Sequence, residues 1–316
     1  MSQPIPRRDF IKRALLAGAG VVGAPLLHQK LHAHLLPDAA APAPFELCSI
    51  VGDGYFENTM KAIDALGGMQ RFVKKGNTVA LLINATFDGR AASTNPDIPL
   101  AVMKMCQDAG AREIWLLKQT GSAYWRRSSQ YPRLKADVDT MRYEDEFKEV
   151  KIDQGKSLKS AEVAARLLSC DVFINLPIIK DHEGTRFTGN LKNMMGACSS
   201  STCRRFHFGD SSVLNVFKGY YSNPELLAQS IADVNLIRRP NLCVVDATEI
   251  LATNGPAGPG EVRKPREVIV STSCVAADMY ASRHLGLDWQ ELLVIRDAID
   301  HGYGPKSLKE VSIRTL

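Results

Sequence analysis

The sequence predicts an α/β fold: a mostly parallel sheet flanked by helices, built as a single large domain with an inserted excursion. Three observations carry this. VALLI and IWLLK are nearly continuous apolar runs, as strands buried on both faces are. Between them PDIPLAVMKMCQDAGA has helical spacing and stops at Gly110. The same strand and helix alternation then resumes downstream, which argues βαβ units.

Taken in order, residues 1–44 form a targeting segment and linker, and residues 45–316 form the domain. PIPRRDFIKRALLAGAGVVGAPLLHQ joins Arg7-Arg8, Phe10 and Lys12 to a Gly/Ala-rich apolar run, the arrangement of a twin-arginine export signal. The run is shorter than the ~20 residues of a spanning helix. Ala41-Pro42-Ala43 offers a cleavage site, although Pro44 would follow the scissile bond, so an uncleaved anchor stays open. The expected partners are the twin-arginine export machinery, and a membrane only if the signal is retained. The expected location is the periplasm or cell envelope.

In the domain, ELCSIV, TVALLINA, EIWLLK, DVFINLPII, NLCVVDATEI and EVIVSTS read as strands. FENTMKAIDAL, SLKSAEVAARLLSC, NPELLAQSIADVNLI, CVAADMYASRHLG and DWQELLVIRDAIDHG read as helices, and the polar stretch 122–145 as the excursion. Of the formal net charge of +5, Arg7, Arg8, Lys12, Arg13 and Lys30 against Asp9 and Asp38 place +3 in the first 44 residues. The remaining +2 argues for no nucleic-acid partner. The seven cysteines form no C-x-x-C, so a ferredoxin-type cluster module is absent from the sequence.

The chemistry concentrates in NLPIIKDHEGTRFTGNLKNMMGACSSSTCRRFHFG. Past the strand DVFINL, an extended backbone puts Lys180 and His182 on the same side. That is beyond a strand's carboxyl end, where open α/β sheets bind ligands. FTGNLKNMMGA then reads as a short helix with Thr188 as N-cap and an end near Gly196. Free N–H groups at its start, Lys192 on its first turn and Asn193 beside it would together receive a carboxylate or phosphate. An isolated Lys-x-His on a solvated loop is the plainer alternative.

NLPIIKDH followed by TGNLKNMMG resembles the signature of the family called domain of unknown function 362. The likeness runs from about Cys48 to Arg314. It extends to KKGNTVALLINATFDGRAASTNPDIPLAVMKMCQDAGAREIWLL upstream and to VVDATEILATNGPAGPGEVRKPREVIVSTSCVAADMYASRHLGL and AIDHGYGP downstream. The resemblance implies no settled activity, and the iron-sulfur label of some relatives rests on cysteine motifs lacking here. Residue by residue it marks Asn84, Lys180, His182, Thr188, Gly189, Lys192, Asn193, Gly196, Asp246, Gly255, Pro256, Gly260 and Asp278. Relatives commonly carry Lys-Pro-Asn after the first strand, of which LINA keeps Asn84.

Other candidates divide between function and structure. Asp246 ends the strand LCVVDA, where it could pair with His182 in acid/base work, bind a metal, or cap a turn. TNGPAGPG, with Gly255, reads as a stiff wall rather than a phosphate cradle, because its prolines lack N–H donors. Asp278 reads as first-turn charge on its helix, raised to a ligand-binding candidate by the resemblance alone. Cys198, Cys203 and His207 could hold a metal ion or iron-sulfur cluster, or the cysteines could form a local disulfide or be plain thiols in a mobile SSST loop. Arg204 or His207 could instead complete the anion pocket, while His284 and His301 read as structural. The sequence thus points to an exported protein that binds an anionic small molecule, as a metal- or cofactor-assisted enzyme or as a non-enzymatic binder of the cell envelope.

Overall fold

The computed structural model describes residues 45–87, 89–209 and 223–316. The export signal, its cleavage site and the linker lie outside the described residues. The domain is built on an eight-stranded sheet of order β12-β1-β11-β8-β7-β2-β3-β4. Its strands are β1 (Phe45–Val51), β2 (Thr78–Ile83), β3 (Glu113–Leu116), β4 (Arg142–Tyr143), β7 (Val172–Leu176), β8 (Leu242–Ala247), β11 (Glu267–Ser271) and β12 (Val311–Thr315). β11 runs antiparallel to both neighbours and every other pairing is parallel.

Each central strand is buried on both faces, which explains its unbroken apolar run. Val79, Leu81 and Ile83 of β2 enter one core with Leu242 and Val244 of β8, whereas Ala80 and Leu82 enter a second with Cys243, Val245 and Ala247. Helices α1 (Tyr55–Ala65) and α2 (Asp97–Asp108) cover the first face. The excursion adds α3 (Ser122–Trp125) and α4 (Tyr131–Val138), whose buried Tyr124, Trp125, Tyr131, Leu134 and Val138 extend that core.

SLKSAEVAARLLSC is not one helix. Ser160–Ala164 forms β6, which pairs antiparallel with β5 (Phe147–Lys151), and only Ala165–Ser169, α5, is helical. The residues already alternate, since Ala161 and Val163 are buried while Glu162 between them is exposed. A period of two outweighs the helix propensity of alanine there. The predicted SSST loop is also helical: α6 (Asn190–Asn193) leads through a 3₁₀ turn to α7 (Ser200–Phe208), capped by the Ser199 hydroxyl on the Thr202 N–H.

Helices α8 (Pro224–Asn235), α9 (Cys274–Ala281) and α10 (Leu293–Asp300) complete the second face. His301 and Asp233 form a buried pair at 2.7 Å, and His284 pairs with buried Glu267, so both histidines are structural. Among the described residues no helix is long and apolar enough to cross a membrane.

This topology fixes where a ligand can sit. β2 steps to β3 on one side, and β7 steps to β8 on the other. The two directions diverge between β2 and β7, whose carboxyl ends therefore border the topological switch point.

Candidate functional site

Backbone hydrogen bonds stitch the switch point closed. Asn84, just past β2, donates its N–H to Leu176 O of β7 at 3.1 Å, and Thr94 returns its N–H to Asn84 O at 2.8 Å. The Thr94 hydroxyl also donates to Leu176 O. Beyond β7 the chain stays extended, and Lys180 pairs antiparallel with Thr188. Directly opposed residues project to the same side. Both are buried, and the Thr188 hydroxyl has no hydrogen-bond partner.

Lys180 is 1% exposed. Its ammonium donates to the carbonyl of Ala92 at 2.5 Å and lies 4.5 Å from the centroid of the Phe87 ring. Desolvation, followed by the charges of Lys192 and Lys118, brings its pKa down to about 7. Lys192, half-buried on α6, is lowered to about 8, mainly by desolvation. Lys118, at the carboxyl end of β3, is lowered for the same reason and donates to the Thr86 hydroxyl at 2.9 Å.

His182 accepts N–H bonds from Gly184 at 3.0 Å and Thr185 at 3.3 Å on its Nδ1. An accepting Nδ1 places the ring proton on Nε2 in the neutral imidazole. Desolvation and the charges of Lys192, His207 and Lys180 hold its pKa far below the usual histidine range. Buried His207 is lowered to about 3 by desolvation and Lys192. Cys203 faces Lys118 and Lys192, although its own burial keeps its thiol protonated. Lys118, Lys180, Lys192, His182, His207 and Cys203 are thus linked in a chain of electrostatic contacts. No carboxylate among the described residues is a cause of any of these shifts.

The start of α6 differs from expectation. Its N-cap is Gly189, not Thr188, and its leading N–H groups already hold an anion of the protein's own. Asp278 of α9 accepts the Asn190 N–H at 2.7 Å and side-chain amide at 2.9 Å on Oδ1, and the Leu191 N–H at 3.0 Å on Oδ2. A Cβ on Gly189 would lie 2.4 Å from Asp278 Oδ1, so only glycine permits this approach. Asn193 donates to Asn175 Oδ1 and Leu82 O, and Asn175 donates to Asn190 O. Asp278, Gly189 and Asn193 therefore position Lys192 from below.

Gly255 is likewise a fastening. Its N–H donates to Asp181 Oδ2 at 2.9 Å, and a Cβ would fall 1.7 Å from the Asp181 carbonyl oxygen, so TNGPAGPG packs directly on the segment carrying Lys180 and His182. Asp246 does not join His182. Its oxygens accept from Asn95 N at 2.6 Å and Thr248 N at 2.8 Å, and its charged neighbour is Arg127. Burial raises its pKa to about 6. Asn84 is half-buried and Arg204 exposed on α7, neither with a recorded side-chain hydrogen bond.

The family model described as Domain of unknown function (DUF362) matches residues 79–283. The chain belongs to the DUF362 family. A thylakoid-associated protein of Synechocystis sp. is 26% identical over 233 residues, covering 72% of this chain and 68% of that protein. Two solved structures resemble it in part. The lactate racemase apoprotein of Thermoanaerobacterium thermosaccharolyticum has a TM-score of 0.41 at 14% identity over 63% of this chain, and a Thermotoga maritima protein 0.38 at 15% over 62%. This chain spans about half the length of each, 50% and 51%.

The iron-sulfur or metal assignment considered for DUF362 members does not suit these donors. Cys198 and Cys203 are free thiols bonded to the Met194 and Met195 carbonyls, and Cys198 is fully buried in apolar surroundings. Among the described residues no three His, Cys, Asp or Glu side chains converge as metal ligands, so Cys198, Cys203 and His207 are not assembled into a centre. Lys118 is the member that sequence reasoning missed, although IWLLK carried the signal: a cation closing an apolar strand at its carboxyl end.

Asp278 also sets a testable pH dependence. Burial raises its pKa to about 6 in the folded protein, against 3.8 for the free carboxyl, so the folded state binds the extra proton between those values. Its contribution to stability must fall as pH rises from about 4 to 6 and stay lost above. Asp278→Asn, which removes this titration and sets an amide against the Leu191 N–H, should unfold at lower urea concentration than wild type at pH 4–5. The difference should narrow by pH 7, as followed by urea denaturation at each pH.

Proposed function

We propose that this DUF362 protein binds a small, multiply charged anion between Lys118, Lys180 and Lys192. One observation supports the reading above all. Three lysines converge at the switch point without a carboxylate among the described residues to neutralise them. A fold that needed only structural polarity there would pair them, because unpaired like charges with limited hydration are costly. Thr188 Oγ1, buried and unpartnered opposite Lys180, supplies a further donor. The ligand class is a compact dianion, such as a phosphate monoester or a dicarboxylate.

A catalytic reading has one observation in its favour: an amine with a pKa near 7, Lys180, can accept a proton at neutral pH. Asp246 is too engaged with Asn95, Thr248 and Arg127 to serve as partner for His182. Export by the twin-arginine route to the cell envelope is part of the proposal and rests on Arg7, Arg8, Phe10 and the apolar run after them.

Inorganic sulfate, whose charge is constant near neutral pH, is a suitable probe. Lys192→Met should bind it at least about tenfold more weakly by titration calorimetry, the loss of one charge-assisted contact. Its thermal unfolding should not occur at lower temperature, since Lys192 Nζ makes no hydrogen bond among the described residues and the variant removes a desolvated charge; undiminished binding would overturn the site. In wild type, affinity should fall as pH rises through 7 to 8, where Lys180 and Lys192 lose their protons. Binding near pH 8 should take up protons, seen as a buffer-dependent enthalpy. Lys180→Arg separates receptor from enzyme: it keeps the cation but cannot give up its proton. With a co-purifying ligand identified by native mass spectrometry, a receptor variant retains binding, whereas an enzyme variant binds without turnover.

A further inference from the structure

Four consecutive residues, 92–95, carry a second set of contacts. Ala92 O accepts from Lys180, but the Ser93 hydroxyl accepts from Arg127 Nη1 at 2.7 Å and Thr94 O from Nη2 at 3.3 Å, while Asn95 N donates to Asp246. Beside them opens a cavity of about 50 Å³ lined by Arg90, Asn95, Pro96, Arg127, Thr248 and Glu249. That is room for about four waters or one compact oxyanion.

Two arginines and one glutamate line this cavity. Arg127 donates to neutral acceptors while its charge faces Asp246, its Nε–H is buried without a partner, and its guanidinium lies 5.1 Å from the centroid of the Tyr124 ring. The Tyr124 hydroxyl is also buried without a partner. Neither Arg90 nor Arg127 is ion-paired among the described residues. The nearby carboxylates are already engaged: Glu249 by Lys264 at 3.2 Å, and Asp246 by the Asn95 and Thr248 N–H groups and by the charge of Arg127, which leaves Arg90 uncompensated among the described residues. A guanidinium hydrogen-bonded only to neutral acceptors and with an N–H to spare suits a planar or tetrahedral oxyanion.

We propose that this cavity is a second anion subsite, in which Arg127 and Arg90 hold one carboxylate or phosphate group. It is independent of the lysine site and does not rest on it. The amides of Asn95 and Thr248 border it and report on it. Titration of the isotope-labelled full chain with inorganic phosphate, and separately with acetate, should shift both amide signals saturably. The response should survive in Lys192→Met and weaken by at least about tenfold in Arg90→Gln, which removes an exposed arginine without a recorded hydrogen bond. Arg127→Lys, which keeps the charge and loses the fork, should weaken it as well. Absence of a saturable shift, or equal affinity in Arg90→Gln and Arg127→Lys, would overturn the subsite. A response lost in Lys192→Met would overturn its independence and assign the shifts to the lysine site.

Discussion

Burial of Lys118, Lys180 and Lys192, with Lys180 further repelled by the other two, is the constraint around which the carboxyl rim of the sheet is organised. An ammonium buried as deeply as Lys180 can lose its proton, acquire a counter-ion, or pull the chain outward toward water. The last route is closed, because Lys180 is held by its pairing with Thr188, by the Ala92 carbonyl and by the Phe87 ring. A pKa brought from 10.5 to about 7 corresponds to roughly 5 kcal/mol of unfavourable charging, a large share of a typical folding free energy. The free protein tolerates this cost, and an anion can recover it.

What holds the lysines in place is a polar scaffold that touches no ligand. Asp278 takes the N-terminal N–H groups of α6, Asn175 and Asn193 tie that helix to β7 and β2, and Gly255 locks the Gly/Pro-rich loop to Asp181. A four-residue helix has little stability of its own and forms here because these side chains satisfy its ends. The positive end of its dipole is spent internally on Asp278. The helix start is therefore not open to an outside anion, and the proposed reception rests on the ammonium groups.

The sheet was legible in the sequence because strands buried on both faces must be continuously apolar, and helices covering them must carry one apolar stripe. VALLI, IWLLK and LCVVDA announce themselves this way. The strand Ser160–Ala164 was not legible, because alanine-rich residues satisfy both periods and only its pairing with β5 decides between them. In the site, Lys180, His182 and Lys192 were visible as a cluster of cations just past a strand. The partners of Asp246 and Asp278 were not: both lie within the elements where the sequence put them, but their hydrogen bonds cross 151 and 88 residues of chain. Residue type and spacing name a carboxylate without saying whether it faces an imidazole, a helix end or a backbone turn.

Under the proposed function the lysine cluster would act with opposite sign on the free protein and on an anion complex. Between about pH 7 and 10 the folded free protein holds Lys180 as an amine while the unfolded chain holds it as an ammonium, so rising pH favours folding there. The proposed anion complex needs the ammonium, so the same rise in pH would weaken binding. A purely structural buried lysine would show the first dependence alone, and an exposed binding lysine neither, because its proton would stay on throughout this range. Under the proposed function the two together follow from cations that the fold desolvates and that a bound anion would neutralise.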